Sequence, residues 1–274
     1  MTGRVAVVTG GNKGIGFATV KALCQQYDGT VYLTARDTTR GLNAVSQLEE
    51  QGLSPKFHQL DVTDDNSVNT FRDYLQTKYG GLDVLVNNAA IAFKTAATEP
   101  FAVQAEETIR VNYFSLRRVC TALYPLLRPH ARVVHVSSSA GRLCKITGEA
   151  LKQKLADANL TETELDKIMR EFVDAAKAGT HLQAGWSNSA YVASKIGVSA
   201  LAGVHQAMFN ADPREDIAVN AVHPGYVDTD MTSHTGPLTP DEGAIGPVYC
   251  ALLPKNTEIK GKYIWYDKTL SDWK

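Results

Sequence analysis

Apolar and polar positions along the chain alternate between strand-like and helix-like patterns. Val5-Ala6-Val7-Val8 is a continuous apolar run of strand length, and Phe17 to Leu23 reads as a helix. Val31-Tyr32-Leu33-Thr34-Ala35 is a second strand. Ala44 and Leu48 mark a helix ending near Gly52, and Lys56 to Leu60 is a third strand closed by Asp61. Val68, Phe71, Leu75 and Tyr79 recur at helical spacing behind a cap at Asp64 or Asp65, and Gly80-Gly81 stops that helix. Leu82 to Val86 is a fourth strand, and a long helical region is expected from about Phe101 to Leu127, ending at Pro129. Arg132 to Val136, Ala218 to Val222 and Tyr263 to Trp265 supply strands five to seven, with a helix from Ala190 to Asn210 between the fifth and sixth. Repeated βα units imply right-handed crossovers. The expected fold is therefore α/β, a single Rossmann-type domain spanning residues 1–274. Its doubly wound parallel sheet has about seven strands and helices on both faces. Ligands then belong at the carboxyl ends of the strands.

One stretch breaks the rhythm. From about Leu143 to Gln183 no strand pattern appears. Thr161 and Glu164 have capping-box spacing, and Leu165, Ile168, Met169, Phe172 and Ala176 follow at helical spacing up to Gly179. A helical insertion with a core-packing stripe is predicted at about 143–183.

Composition narrows the function classes. With 44% apolar and 21% charged residues and a net charge of −1, the 274-residue chain can bury a sizeable core. It has no basic block suited to nucleic acid or an anionic membrane. No apolar run reaches membrane-spanning length. Cys24, Cys120, Cys144 and Cys250 are scattered without a CxxC pair, so reduced buried thiols are expected rather than a metal site or disulfide framework. The N-terminus enters a strand without a signal-peptide pattern, and Ser271-Asp272-Trp273-Lys274 is not a peroxisomal address. The expected location is cytoplasmic.

Thr9-Gly10-Gly11-Asn12-Lys13-Gly14-Ile15-Gly16 joins the first strand to the first helix, the context a dinucleotide pyrophosphate requires. Gly10 suits the tight turn, Gly14 a close backbone approach to phosphate, and Gly16 close helix–sheet packing; the helix N-terminus attracts the anion. Arg36 stands at the end of the second strand, where a carboxylate would select NAD. With Lys13 as a second cation nearby, the expected cofactor is NADP(H). Asp61, with Val62 beside it, is placed toward the adenine. Tyr191 and Lys195 are spaced i, i+4, on one helix face. A neighbouring ammonium would lower the phenol pKa from its usual value of about 10 and let Tyr191 exchange a proton with a carbonyl oxygen.

Taken together, the glycine turn, Asn87-Asn88-Ala89, Asn112, Ser137-Ser138, Tyr191-xxx-Lys195 and Pro224-Gly225 resemble the short-chain dehydrogenase/reductase family over nearly the whole chain. Within it, Leu82 to Phe93 and the insertion before Tyr191 are similar to monomeric NADPH-dependent carbonyl reductases. The resemblance implies reduction of aldehydes, ketones and quinones. It makes Tyr191 the acid/base and Ser138 the carbonyl hydrogen-bond donor, while Lys195 tunes the tyrosine and binds the nicotinamide ribose. Asn112 would hold a water linking Lys195 to solvent. Asn12, Ile15, Asn88, Val111, Pro224, Gly225, Val227 and Thr229 would line the cofactor. Ser139, Ala140 and Tyr226 would line the substrate pocket; Phe93 and Gln104, with Lys94, lie where glutathione conjugates would be met. Ala90 departs from the family's usual glycine and His135 from its usual asparagine. His135 is expected to be structural, and His223 to approach the site without binding a metal. The 53 positions between Ser138 and Tyr191 (191 − 138) place the extra helix over a common oligomer face and imply a monomer. Two other readings stay open: an alcohol or steroid dehydrogenase acting in oxidation, and a non-catalytic dinucleotide sensor.

Overall fold

The computed structural model describes residues 3–94 and 96–274. Its strands are β1 (Val5–Val8), β2 (Thr30–Ala35), β3 (Lys56–Gln59), β4 (Leu82–Asn87), β5 (Leu127–Val136), β6 (Ala218–Val222), β7 (Tyr263–Ile264) and β8 (Leu270–Ser271). They form one sheet in the order β3-β2-β1-β4-β5-β6-β7-β8, parallel throughout except for the antiparallel β7–β8 pair. The order reverses between β1 and β4, which opens a crevice at their carboxyl ends. The helices are α1 (Gly14–Gln26), α2 (Thr38–Glu49), α3 (Asp65–Tyr79), α4 (Phe101–Ile109), α5 (Ser115–Leu123), α6 (Glu149–Ala156), α7 (Glu162–Lys177), α8 (Ala190–Asn210) and α9 (Pro240–Ala251).

Alternate residues of each central strand feed two cores. Val5 and Val7 pack with residues of α3, α4, α5, α7 and α8, whereas Ala6 and Val8 pack with α1, α2 and α9. Burial on both faces is why β1 is apolar at every position.

Three expectations are corrected. The long helix is not continuous to Leu127: α4 passes into a π turn over Arg110–Phe114, resumes as α5, and ends in a 3₁₀ turn at Tyr124–Leu126. The fifth strand starts five residues earlier than its apolar run. The pairing jumps from Leu82↔Leu127 to Val84↔Arg132, so Pro129 and the left-handed His130 lie outside the regular ladder and forfeit no hydrogen bond in it. An eighth, two-residue strand was not anticipated. It is too short for periodicity to reveal and exists only through its pairing with β7.

The insertion holds α6 and α7. Thr161 and Glu164 make the reciprocal capping box, with Thr161 N donating to Glu164 Oε2 (2.9 Å) and Glu164 N to Thr161 Oγ1 (3.2 Å). All five stripe residues of α7 are buried, and the helix packs on α4 and α8.

Candidate active site

The glycine turn is stitched to its neighbours. Thr9 N donates to Val86 O (3.0 Å) and Gly11 N to Thr34 O (2.9 Å). Thr9 Oγ1 accepts from the backbone of Asn88 and Ala89, and Asn88 Nδ2 donates to Thr9 O and Gly10 O. Asn88 thus braces the turn from below. Gly10 and Gly14 have φ of 64° and 55°, where an L side chain is strained. At Gly16 an added Cβ would lie 2.2 Å from Gly10 O and 2.5 Å from Asn88 Nδ2. Ala90 is outside the left-handed region, so its methyl group replaces glycine without backbone strain.

The first turn of α1 has no side-chain cap and no acidic residue. Within that turn Phe17 N donates to Lys13 O (3.2 Å); the uncapped N-terminus, with Asn12 and Ile15 at the turn, is of the kind that receives a pyrophosphate. Arg36 stands exposed at the end of β2, and its charge reaches Asp61. Burial pushes the Asp61 carboxyl up, but hydrogen bonds from Thr63 and the Arg36 charge hold it below its ordinary value. Val62 O accepts from Arg118. Lys13, expected near a phosphate, pairs with Asp230 across the crevice at 2.6 Å.

Ser189 caps α8, which carries Tyr191 and Lys195 on one face. Lys195 Nζ donates to Val136 O (2.8 Å) and stands 5.6 Å from the centre of the Tyr191 ring. Ser138, just beyond β5, lies beside Tyr191 and acts to lower the pKa of its hydroxyl. Here the pKa expectation needs correction. Burial raises the Tyr191 pKa, and it is Ser138 that opposes this; burial also lowers the Lys195 ammonium to about 8. The same desolvation acts on both groups, and the ammonium is turned toward a carbonyl.

Asn112 and Val111 lie in the π turn, a feature frequent at functional sites. Asn112 Nδ2 donates to Ile91 O (2.9 Å) and Ser194 Oγ (3.0 Å), and Oδ1 accepts from Ile91 N (2.8 Å). Both amide protons are in use, so a water here would have to be held by an acceptor.

Two residues hold the serine turn without a signal in sequence spacing. His223 Nδ1 accepts from Ser139 N (3.0 Å) and Gly225 N (3.4 Å), and burial lowers its pKa to about 4. The neutral ring therefore joins the serine turn to the Pro224-Gly225 loop. Tyr263 OH donates to Ser138 O (2.6 Å). Ser138 Oγ accepts from Ala140 N (3.2 Å), which leaves its own proton to donate.

The substrate-side residues divide. Pro224 and Val227 are buried, Gly225 has φ of 91°, and Thr229 meets Thr232. Tyr226 is 52% exposed, at the rim, with its hydroxyl on Thr235. Phe93 is half-buried, while Gln104 is committed to Glu99 O (2.8 Å) and Lys94 to the 230–233 turn. Thr95, in the loop expected to shape the pocket, lies outside the described residues. His135 is fully buried and bonded to Asn87 and His205.

This geometry has relatives. The chain is 51% identical over 273 residues to carbonyl reductase (NADPH) 1 from Bos taurus, and 48% identical over 271 residues to that from Homo sapiens, covering 98% of both partners in each case. Among solved structures it is similar to salutaridine reductase from Papaver somniferum, with a TM-score of 0.85, 34% identity, and coverage of 96% of this chain and 99% of that one. An NADPH-bound carbonyl reductase from chicken fatty liver, 22% identical, covers 98% of this chain and 94% of its own with a TM-score of 0.70, and shares the fold. The short chain dehydrogenase family model matches residues 4–150 and 176–238, leaving out most of α7. A sheet that reverses at a glycine turn, a serine–tyrosine–lysine group at its carboxyl end, and this match over most of the chain place the protein in the short-chain dehydrogenase family.

Proposed function

We propose that the protein reduces the carbonyl group of small aldehydes, ketones and quinones to alcohols with NADPH. The observation that carries this reading is one cluster, Ser138, Tyr191 and Lys195, at the carboxyl end of the sheet, the end from which the glycine turn leaves β1 for the uncapped N-terminus of α1. Gly10, Asn12, Gly14, Ile15 and Gly16 would hold the pyrophosphate, Arg36 and Lys13 the 2′-phosphate side, Asp61 and Val62 the adenine side. Asn88, Val111, Pro224, Gly225, Val227 and Thr229 would line the rest. When bound, the cofactor supplies the hydride.

The chain's own residues manage the proton. Ser138 Oγ, with one lone pair taken by Ala140 N, donates toward the carbonyl oxygen, and the Tyr191 hydroxyl approaches the same oxygen. Two donors polarise the carbonyl and stabilise charge as it develops. Tyr191 then gives up its proton. A Lys195 pKa of about 8 keeps the ammonium protonated at pH 7 by roughly ten to one, so a positive charge stands behind the nascent phenolate. His223 and Tyr263 fix the serine turn, so the two donors stay aligned.

Tyr191→Phe tests the reading. It should abolish NADPH oxidation with a panel of quinones, aldehydes and ketones while leaving NADPH binding by fluorescence largely intact; substantial residual turnover would remove Tyr191 from its role.

Three finer readings belong to the same proposal. The protein is a monomer, since α7 already covers α4 and α8. It works in the cytoplasm, a reading supported by four free thiols. Glutathione conjugates are within its substrate class, a reading that rests on the half-buried Phe93 alone, since Gln104 and Lys94 are committed elsewhere; failure of glutathione to compete with a conjugate would sink that extension.

A further inference from the structure

Cys120 on α5, His135 on β5 and His205 on α8 are fully buried, and none of them enters the chemistry described above. The fold brings one donor atom of each within 4.8 Å of the other two. The imidazoles meet through His135 Nε2 and His205 Nδ1 at 3.1 Å. We propose that Cys120, His135 and His205 form a site for a thiolate- and imidazole-preferring divalent metal ion, Zn2+ first among them, separate from the coenzyme crevice.

The donor set is the first argument. One thiolate and two neutral imidazoles suit Zn2+ and other borderline-soft cations. The second is convergence: His205 Nδ1 is met by both His135 Nε2 (3.1 Å) and the Tyr124 hydroxyl (2.6 Å). A cation at the convergence lets both nitrogens use their lone pairs, with the Tyr124 oxygen or a water as the fourth donor.

Geometry is close to what is needed. Tetrahedral bonds of about 2.0–2.3 Å set donors roughly 3.3–3.8 Å apart. The two nitrogens are near that spacing, and the thiol would close by about 1 Å, a side-chain adjustment.

The outer partners are also present. His205 Nε2 faces Glu162 Oε1 at 3.0 Å, the carboxylate–imidazole arrangement that orients a metal-bound histidine. The Asn87 side-chain amide nitrogen lies 3.2 Å from His135 Nδ1 and donates to Cys120 Sγ at 3.4 Å, an N–H that supports a thiolate there. The thiolate and the Glu162 and Asp166 carboxylates, less the Arg117 cation that lies 3.0 and 3.1 Å from the two carboxylates, together balance two positive charges. A surface groove of about 580 Å³, lined by Tyr124, Glu162, Met208 and Phe209, lies on the outer side of the cluster. Its Tyr124 and Glu162 are the residues that touch His205.

The experiment is anaerobic titration of the full chain with Co2+. The expected result is a saturable, one-equivalent thiolate-to-cobalt charge-transfer band with tetrahedral visible absorption, displaced by Zn2+. Cys120→Ser should abolish the band, whereas Cys144→Ser, at the exposed thiol, should leave it unchanged. If Cys120→Ser fails to fold, His135→Asn serves instead and should weaken Co2+ binding at least tenfold. No charge-transfer band in the wild-type chain, a band that persists in Cys120→Ser, a band lost in Cys144→Ser, or unaltered affinity in His135→Asn would each overturn the site.

Discussion

Lys195 gives a prediction whose magnitude follows from its surroundings. The side chain is 3% exposed, donates to Val136 O, and has its pKa lowered from 10.5 to about 8 by burial. At about 1.36 kcal/mol per pH unit, that gap corresponds to a folding penalty of about 3 kcal/mol. The sign follows from which state holds the proton more tightly. The unfolded chain does, so the penalty is complete below about pH 8, falls between pH 8 and 10.5, and vanishes above. Lys195→Met removes the buried charge along with the bond to Val136 O, a loss of about 1.5–3 kcal/mol for a charged donor. At pH 7 the two terms nearly cancel, or leave the variant more stable by about 1 kcal/mol. Between pH 7 and pH 10 the variant should lose about 2–3 kcal/mol relative to wild type, because only the wild type is relieved of its penalty. Urea unfolding of the coenzyme-free proteins at both pH values measures this double difference. A variant-minus-wild-type difference that is the same at pH 7 and pH 10 would refute the argument that burial destabilises the ammonium.

Gly16→Ala should destabilise the fold by about 1–3 kcal/mol and weaken NADPH binding, because the new methyl group collides with Gly10 O and the Asn88 amide; urea melts and NADPH fluorescence titration check both, and unchanged values would contradict the packing. Arg36→Ala should raise the Michaelis constant for NADPH about 10- to 100-fold, the worth of a charge-assisted bond, and leave that for NADH nearly unaltered; parallel losses for both coenzymes would take Arg36 away from the 2′-phosphate. Light scattering of the purified chain should return about the mass of one 29.8 kDa chain, and a stable tetramer would show that α7 does not block assembly.

Much of the fold was legible because its signals are local. The apolar β1 run, the glycine turn after it, the Thr161–Glu164 cap and the buried stripe of α7 each depend on residues within a few turns of one another. The i, i+4 spacing of Tyr191 and Lys195 likewise follows from helical geometry alone. The π turn at Asn112 and the strand start at Leu127 are not legible locally: the residues of both also suit the preceding helix, and for Leu127 pairing with Leu82 decides the outcome.

The sequence by itself determined the alternation of strands and helices, the anion-ready turn and the residue types of the proton-transfer group. Tertiary structure alone decided where those groups point and what they experience. Lys195 finds the carbonyl of Val136, 59 positions away, Ser138 is steadied by Tyr263 and Ser139 by His223, and Cys120 meets two histidines from other elements. Burial and partnership across such separations depend on how the layers pack, and no local pattern encodes them.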